Sequence, residues 1–355
     1  MDSVKYIGMD VHKEAISIAV LNSSGKLVME CIIETKASTI LQFFQGLSGN
    51  LQVTFEEGTW ATWLYDLLKP HVTKLVVCNP RRNALLKEGS KSDRIDARKL
   101  AELLRSNLLR PVYHGEHGVR ALKELARSYL TISKDLGRVM SRVKAIYRSW
   151  GIACTGKEVY APRHRSEWLG KISELGVRRR AEFYYQQLDA LRTLRRQVRR
   201  DLLAECKKHQ AWKRLCQIPS IGLIRAAVLL GILQTPHRFR TKRQLWTYSG
   251  LGIETRSSAD HRSVDGQLER AKKQICIRGL NQNCNHDLKN LFKGAAIVAS
   301  SKPGPFQEFY TALLTKGIRP EMARLTLARK IATIVLIVWK RGVSFDAQHL
   351  KPQTA

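Results

Sequence analysis

The feature that most constrains this chain is the order in which its hydrophobic periodicities change over the first hundred or so residues. From Lys5 to Val11 the pattern alternates, with Ile7, Met9 and Val11 on one face and Tyr6, Gly8 and Asp10 on the other, as a half-buried strand requires. Ala15 to Leu21 alternates in the same way, Asn22 to Gly25 supplies a turn, and Leu27 to Ile33 completes a three-stranded meander. A helix is predicted over about Ala37 to Leu47, a strand over Leu51 to Phe55, a helix over Thr59 to Leu68 and a strand over Lys74 to Val77. Past Asn79 and Pro80 comes a basic stretch with Arg81, Arg82, Lys87, Lys91 and Arg94, overlapping a helix from about Asp93 to Leu108 that Pro111 closes off.

Three strands, then helix, strand, helix, strand is the α/β order of an RNase H-like sheet, whose first and fourth strands are neighbours. Asp10 ends the first and Glu56 ends the fourth, so their carboxylates are expected to converge; Glu57 competes with Glu56 for the role. Asp93 and Asp96 stand three residues apart at a helix start and share one face. Each acid alone has a plainer use, as a turn cap, a surface acid or a complement to the helix dipole. Together they form a like-charge cluster. Carboxylates about 5 Å apart repel by on the order of 3 kcal/mol at an effective dielectric of 20. A divalent cation relieves this, and Mg²⁺ is expected because it takes carboxylate oxygen, keeps water and bridges to phosphate.

The remainder reads as helical. Leu122, Leu125, Tyr129, Ile132, Leu136, Val139, Val143 and Ile146 recur in alternating steps of three and four, a heptad seam. A second long helix, Val177 to Lys208, carries Val177, Ala181, Tyr184, Leu188, Leu191, Val198 and Leu202 in the same phase, interrupted by Arg195. The pair forms either an antiparallel hairpin or a coiled coil with another subunit. Its outer face is rich in Arg192, Arg195, Arg196, Arg199 and Arg200, without matching acids. Ile218 to Gly222 makes a turn before an apolar helix, a helix-hairpin-helix-like element whose backbone at Gly222 suits a phosphate. The expected divisions are residues 1–110, an α/β RNase H-like (RuvC-like) domain; 111–211, a coiled-coil region; 212–345, a mainly α-helical domain; and 346–355, a tail.

Charge narrows the partner. Sixty-one Lys and Arg against 30 Asp and Glu leave a formal charge of +31. Such an excess repels itself unless a polyanion neutralises it, and nucleic acid releases counterions when it does so. Seven widely spaced cysteines without a C-x-x-C pair exclude a disulfide framework, and Cys276, Cys284 and His286 lack a fourth ligand at zinc-module spacing. Met1 to Lys13 has no signal-like apolar run, and Ile331 to Trp339 is too short to cross a bilayer. A soluble, cytoplasmic protein is expected, with no membrane partner.

At this point the chain resembles a known family. Tyr6-Ile7-Gly8-Met9-Asp10-Val11-His12-Lys13, Glu56-Glu57-Gly58-Thr59 and Lys91-Ser92-Asp93-Arg94-Ile95-Asp96-Ala97-Arg98 resemble the DEDD motifs of bridge-RNA-guided insertion-sequence transposases, relatives of the Piv/MooV-type invertases. Ile218 to Leu230 and Tyr248-Ser249-Gly250-Leu251 resemble that family's C-terminal transposase domain. The resemblance implies a RuvC-like domain, a coiled-coil insertion and a domain with a nucleophilic serine. It further implies dimers and tetramers on donor and target double-stranded DNA, paired through a structured guide RNA.

Carried over by motif, the catalytic and metal-binding acids are Asp10, Glu56, Asp93 and Asp96. The serine falls at Ser258 or Ser257, with Arg256 and Arg262 near the developing charge. The function so implied is that of a transposase or recombinase acting through a serine-linked DNA intermediate. A Piv-like site-specific invertase without guide RNA and a RuvC-like junction resolvase or nuclease are the alternatives.

Overall fold

A computed structural model describes residues 4–80, 92–114, 119–258, 261–264, 267–270 and 275–350. The chain divides into two compact units, Met1–His114 and Gly115–Ala355. The expected sites Arg81, Arg82 and Lys91 lie outside the described residues.

In the first unit, strands β1 (Val4–Val11), β2 (Ala15–Leu21), β3 (Leu27–Glu34), β4 (Asn50–Glu56) and β5 (Lys74–Cys78) form one sheet in the order β3-β2-β1-β4-β5. The meander pairs antiparallel, while β1–β4 and β4–β5 run parallel. This is the mixed α/β sheet of an RNase H-like domain. Alternation decides its two faces. Ile7, Met9, Ile16, Ile18, Val20, Val53 and Phe55 pack into one core with helices α1 (Ala37–Gln45) and α2 (Ala61–Leu68) through Ile40, Phe44, Leu64 and Leu68.

The opposite face receives helix α3 (Asp93–Arg105), which buries Ala97, Leu100, Ala101 and Leu104. Its approach is close enough to exclude any side chain at Gly8. A Cβ there would lie 2.1 Å from the Ala97 carbonyl oxygen and 2.5 Å from the Ala101 nitrogen. Both are backbone atoms that no rotamer can move aside. Ser92 caps the helix, accepting from the Ile95 N–H at 3.3 Å, and Asp93 and Asp96 complement the positive end of the dipole. Farther along, Arg98 forms a two-point ion pair with Glu30 of β3.

In the second unit, long helices α4 (Arg120–Ser149) and α6 (Leu175–Cys206) flank the short α5 (Arg165–Gly170). They pack antiparallel within one chain. Tyr147 meets Tyr185, hydroxyl to hydroxyl at 3.0 Å, at one end, and Arg195 donates to the Tyr129 hydroxyl at 3.2 Å farther along. The seam runs through Tyr185 where the heptad points to Tyr184, which is only half-buried.

Helices α7 (Gln210–Cys216) and α8 (Leu223–Leu233) embrace the Ile218–Gly222 turn, and Trp212 ties them by donating from Nε1 to the Leu223 carbonyl at 3.1 Å. Around α8 cluster α9 (Lys242–Tyr248), α10 (His286–Ser301), α11 (Pro305–Thr315) and α12 (Pro320–Arg341), the last burying the apolar run Ile331, Ile334, Val335 and Val338. Among the described residues no helix is long and apolar enough to cross a membrane.

The third region is mainly helical, as expected, and it also holds four short strands that the sequence pattern did not announce. Strands β6 (Ile253–Ser258) and β9 (Ile275–Leu280) pair antiparallel, as do β7 (His261–Val264) and β8 (Gln267–Arg270). Polar residues prevail in β6, β7 and β8, and the apolar residues of β9 stand in a short run, so no apolar alternation announces these strands. The root of the β6–β9 ribbon is tied to helices. Arg329 of α12 donates from Nε to the Leu251 carbonyl at 2.7 Å, and buried Asn281 donates to the Gly252 and Thr247 carbonyls.

Two outcomes follow for the first unit. Gly8→Ala is expected to cost about 1–3 kcal/mol through overpacking against helix backbone, read as a lowered urea midpoint with an unchanged m-value. The Arg98 guanidinium, chiefly by its hydrogen bonds, holds Glu30 below its ordinary value of 4.5. The pair's contribution is therefore complete above that pH and is lost as pH falls through the lower folded-state value. Thermal melts between pH 7 and 3 should show Glu30→Gln losing less stability on acidification than the parent.

Candidate active site

Strand β1 carries Asp10 out of the sheet on the α3 face, two residues beyond Gly8. The chain then turns, the His12 N–H donating to the Ala15 carbonyl at 3.0 Å, and Thr35 donates to the His12 carbonyl at 2.9 Å. These bonds hold the backbone of His12 over the strand end. Because α3 starts at Asp93, the close crossing at Gly8 delivers the first helical turn to the same place.

Three side chains meet there. His12 Nε2 lies 3.1 Å from Asp10 Oδ2 and 3.5 Å from Asp93 Oδ1. The donor atoms of Asp10, His12 and Asp93 all fall within 4.8 Å of one another, and among the described residues no other His, Cys, Asp or Glu group of three does so. Asp10 is the most sheltered, its side chain 18% exposed against 55% for His12 and 65% for Asp93. The group therefore has one fixed inner ligand and two that face solvent.

Of the four expected acids, Asp10 and Asp93 come together, and Glu56 and Asp96 stand outside that group. Glu56 ends β4, one step past the Met9–Phe55 pairing of β1 with β4, and is half-buried. Its neighbour Glu57 is exposed, with its N–H bonded to the Cys78 carbonyl at 2.8 Å. Asp96 sits one helical turn past Asp93, half-buried, its N–H on the Ser92 carbonyl at 2.8 Å. His12 is the site residue that sequence reasoning missed. Its signal is present, for it stands two positions after Asp10, where the strand pattern ends.

Two carboxylates and an imidazole suit a divalent cation of mixed oxygen and nitrogen ligation, with Mg²⁺ favoured by the carboxylates and Mn²⁺ or Zn²⁺ by the imidazole. Bound there, the ion would relieve the repulsion between Asp10 and Asp93.

The other expected residues fall elsewhere. Arg94 is exposed on the first turn of α3. Arg192, Arg195, Arg196, Arg199 and Arg200 lie on α6, and Gly222 precedes α8 at a turn in which Ser220 adopts φ +69° and Arg225 donates to the Ser220 carbonyl at 2.8 Å. The backbone of Ser257 and Ser258 ends strand β6, opposite Cys276 and Ile275 of β9, Arg256 pairs in register with Ile277, and Arg262 with Glu269 across β7 and β8.

A mixed five-stranded sheet with acids at the end of its central strand and on the helix crossing it is the architecture of RNase H-like domains. A transposase model of the DEDD IS110 type matches residues 7–149, and the model of the transposase IS116/IS110/IS902 family matches residues 212–311. Both matched stretches are those of IS110-type transposases, and together they span most of the chain. It is 32% identical over 180 residues to the transposase for insertion sequence element IS1533 of Leptospira borgpetersenii, covering 47% of this chain and 50% of that protein. The chain thus spans about half the length of this curated relative.

Mn²⁺ binding to the purified protein, followed by calorimetry, should weaken at least ~10-fold in Asp10→Asn and Asp93→Asn. Glu57→Gln, at an exposed position outside the group, should leave it unchanged.

Proposed function

We propose that this chain excises and inserts a mobile DNA element by strand exchange. The reaction joins DNA to a serine and is directed to its donor and target duplexes by a structured non-coding RNA. The observation that carries the reading is the meeting of Asp10, His12 and Asp93 at the end of the central strand, in a chain matched to IS110-type transposases at both ends. The charge of +31 supports a polyanionic partner.

In this reading Asp10 and Asp93 present carboxylate oxygens to a divalent cation, taken to be Mg²⁺, and Glu56 and Asp96 complete the acidic wall. When bound, the cation polarises a phosphate oxygen and offsets the charge of a five-coordinate phosphorus. His12 Nε2, in the same group, would be the third ligand. The hydroxyl of Ser258, or of Ser257 beside it, attacks phosphorus and forms a serine–phosphate ester. The displaced deoxyribose oxygen leaves as a hydroxyl after taking a proton. A hydroxyl of the partner strand then attacks the ester, restores serine and rejoins DNA, so bond energy is conserved and no nucleotide triphosphate is needed. Arg256 and Arg262 balance the charge at phosphorus. The protein works as a homodimer that becomes a tetramer on DNA.

Donor and target plasmids incubated with protein, divalent cation and RNA from the element's flanks test this. The parent should give recombinant product and, on a denaturing gel, a protein–DNA adduct. Asp10→Asn should lower product by on the order of 100-fold or more, since loss of the cation removes several kcal/mol of charge stabilisation. Ser257→Ala/Ser258→Ala should abolish the adduct. Undiminished recombination in that double variant would replace the serine route with attack by water, and equal product without RNA would point to an unguided invertase.

A further inference from the structure

The seam between α4 and α6 is apolar at both ends and changes character in the middle. On one side Leu136, Val139, Val143, Tyr185 and Leu188 pack together, and on the other Leu122, Ala126, Val198 and Leu202 join the core of the second unit. Between them lies a cavity of about 490 Å³ lined by Tyr129, Leu136, Arg192, Arg195, Arg196 and Arg199. The four arginines fall at i, i+3, i+4 and i+7, a single stripe of one helix turned along the seam. A heptad would place apolar residues on that stripe. Here guanidinium groups replace them, and the space that apolar packing would fill is left open as a cavity.

Among the described residues, three of the four lack a countercharge. Asp189 is the carboxylate nearest this stretch in ion-pair contact, and it is already committed to Arg165 through hydrogen bonds of 2.5 and 2.9 Å, with Arg192 more distant at 3.7 Å. Arg165 holds that carboxyl below its ordinary range. Arg195 bonds the Tyr129 hydroxyl and Arg196 the Thr193 hydroxyl. Among the described residues no carboxylate pairs with Arg195, Arg196 or Arg199. These three arginines are exposed, so solvent screens their mutual repulsion, and the charge of a bound anion would relieve what remains.

The floor of the cavity is apolar and aromatic, formed by Tyr129 and Leu136, each less than a tenth exposed. Rim guanidiniums over an aromatic floor match the pairing of phosphate charge with a flat apolar sugar or base, which is how single strands are gripped. A duplex keeps its bases inside and offers only phosphates on a wide cylinder, so it cannot fill a recess between two packed helices. The volume lies in the range that takes one small molecular unit.

We propose that this recess binds one nucleotide of a single-stranded nucleic acid, with Arg196 and Arg199 on its phosphodiester and Tyr129 and Leu136 beneath its sugar or base. The site rests on the nucleic-acid reading above, and it adds to that reading a grip for an unpaired strand, remote in sequence from the acids and the serines.

The test is the salt dependence of binding by the full chain, using an unstructured single-stranded RNA, a single-stranded DNA of the same length and a duplex DNA. Arg196→Gln/Arg199→Gln is compared with the parent and with Arg179→Gln, an exposed arginine of the same helix that pairs with Glu182. Circular dichroism melts establish that each is folded. On single strands the slope of log affinity against log salt should shrink by about 0.7, the value for the one phosphate no longer neutralised, with the duplex slope and the Arg179→Gln slopes unchanged. Between 50 and 200 mM salt that difference is roughly 2.6-fold in affinity. A change confined to the RNA or to the DNA strand identifies which one occupies the recess. An unchanged single-strand slope overturns the site, and so does an equal change on duplex. Asp10→Asn should leave these slopes intact while abolishing recombination, so the two readings fail separately.

Discussion

Everything at the acidic site depends on how near α3 comes to the sheet. Helices lie about 10 Å from sheets when side chains fill the gap, but over Gly8 the backbone of Ala97 and Ala101 closes onto the backbone of β1 itself. That contact fixes the height of α3 and, through its rigid first turn, where Asp93 sits. Asp10 lies one pleat beyond Gly8 on the same face, so the glycine and the two acids are one structural decision. A residue that carries no side chain thereby sets the spacing of those that carry charge.

Much of the first unit was legible because strand alternation and helix periodicity there are strong and local. The face shared by Gly8 and Asp10 follows from period-two patterning, and the neighbouring of β1 and β4 from the RNase H-like order that the successive periodicities spell out. What stayed hidden was which acids meet. Glu56 and Asp96 each occupy a plausible place, yet the separation of two carboxylates depends on the last ångström of a helix crossing, which no spacing rule reports. His12 was overlooked for a related reason: sequence reasoning sought oxygen ligands and passed over the imidazole at the next position on that side of the strand.

In the second unit the heptads of α4 and α6 were plain, and whether the helices would meet each other or another subunit was not. The contact between Tyr147 and Tyr185 and the reach of Arg195 to Tyr129 show them closing on each other within one chain. Arg195, which interrupts the seam in sequence, marks the place where the pair parts to leave a recess. The four strands between Ile253 and Leu280 were illegible because they are short and their few apolar residues do not alternate with polar ones over a strand's length. The register of the β6–β9 ribbon comes from its ends.

Those ends have a consequence for how such a chain can change. Arg329 and Asn281 clamp the carbonyls of Leu251 and Gly252, so β6 is counted outward from a fixed origin and its serines lie at a set number of steps from the helical bundle. Residues added or deleted at the far end of the ribbon leave that count untouched. One residue inserted beside the clamp would slide every later position by a step and reverse the side on which each stands. Length variation over evolutionary time should therefore gather at the tip and spare the anchorage.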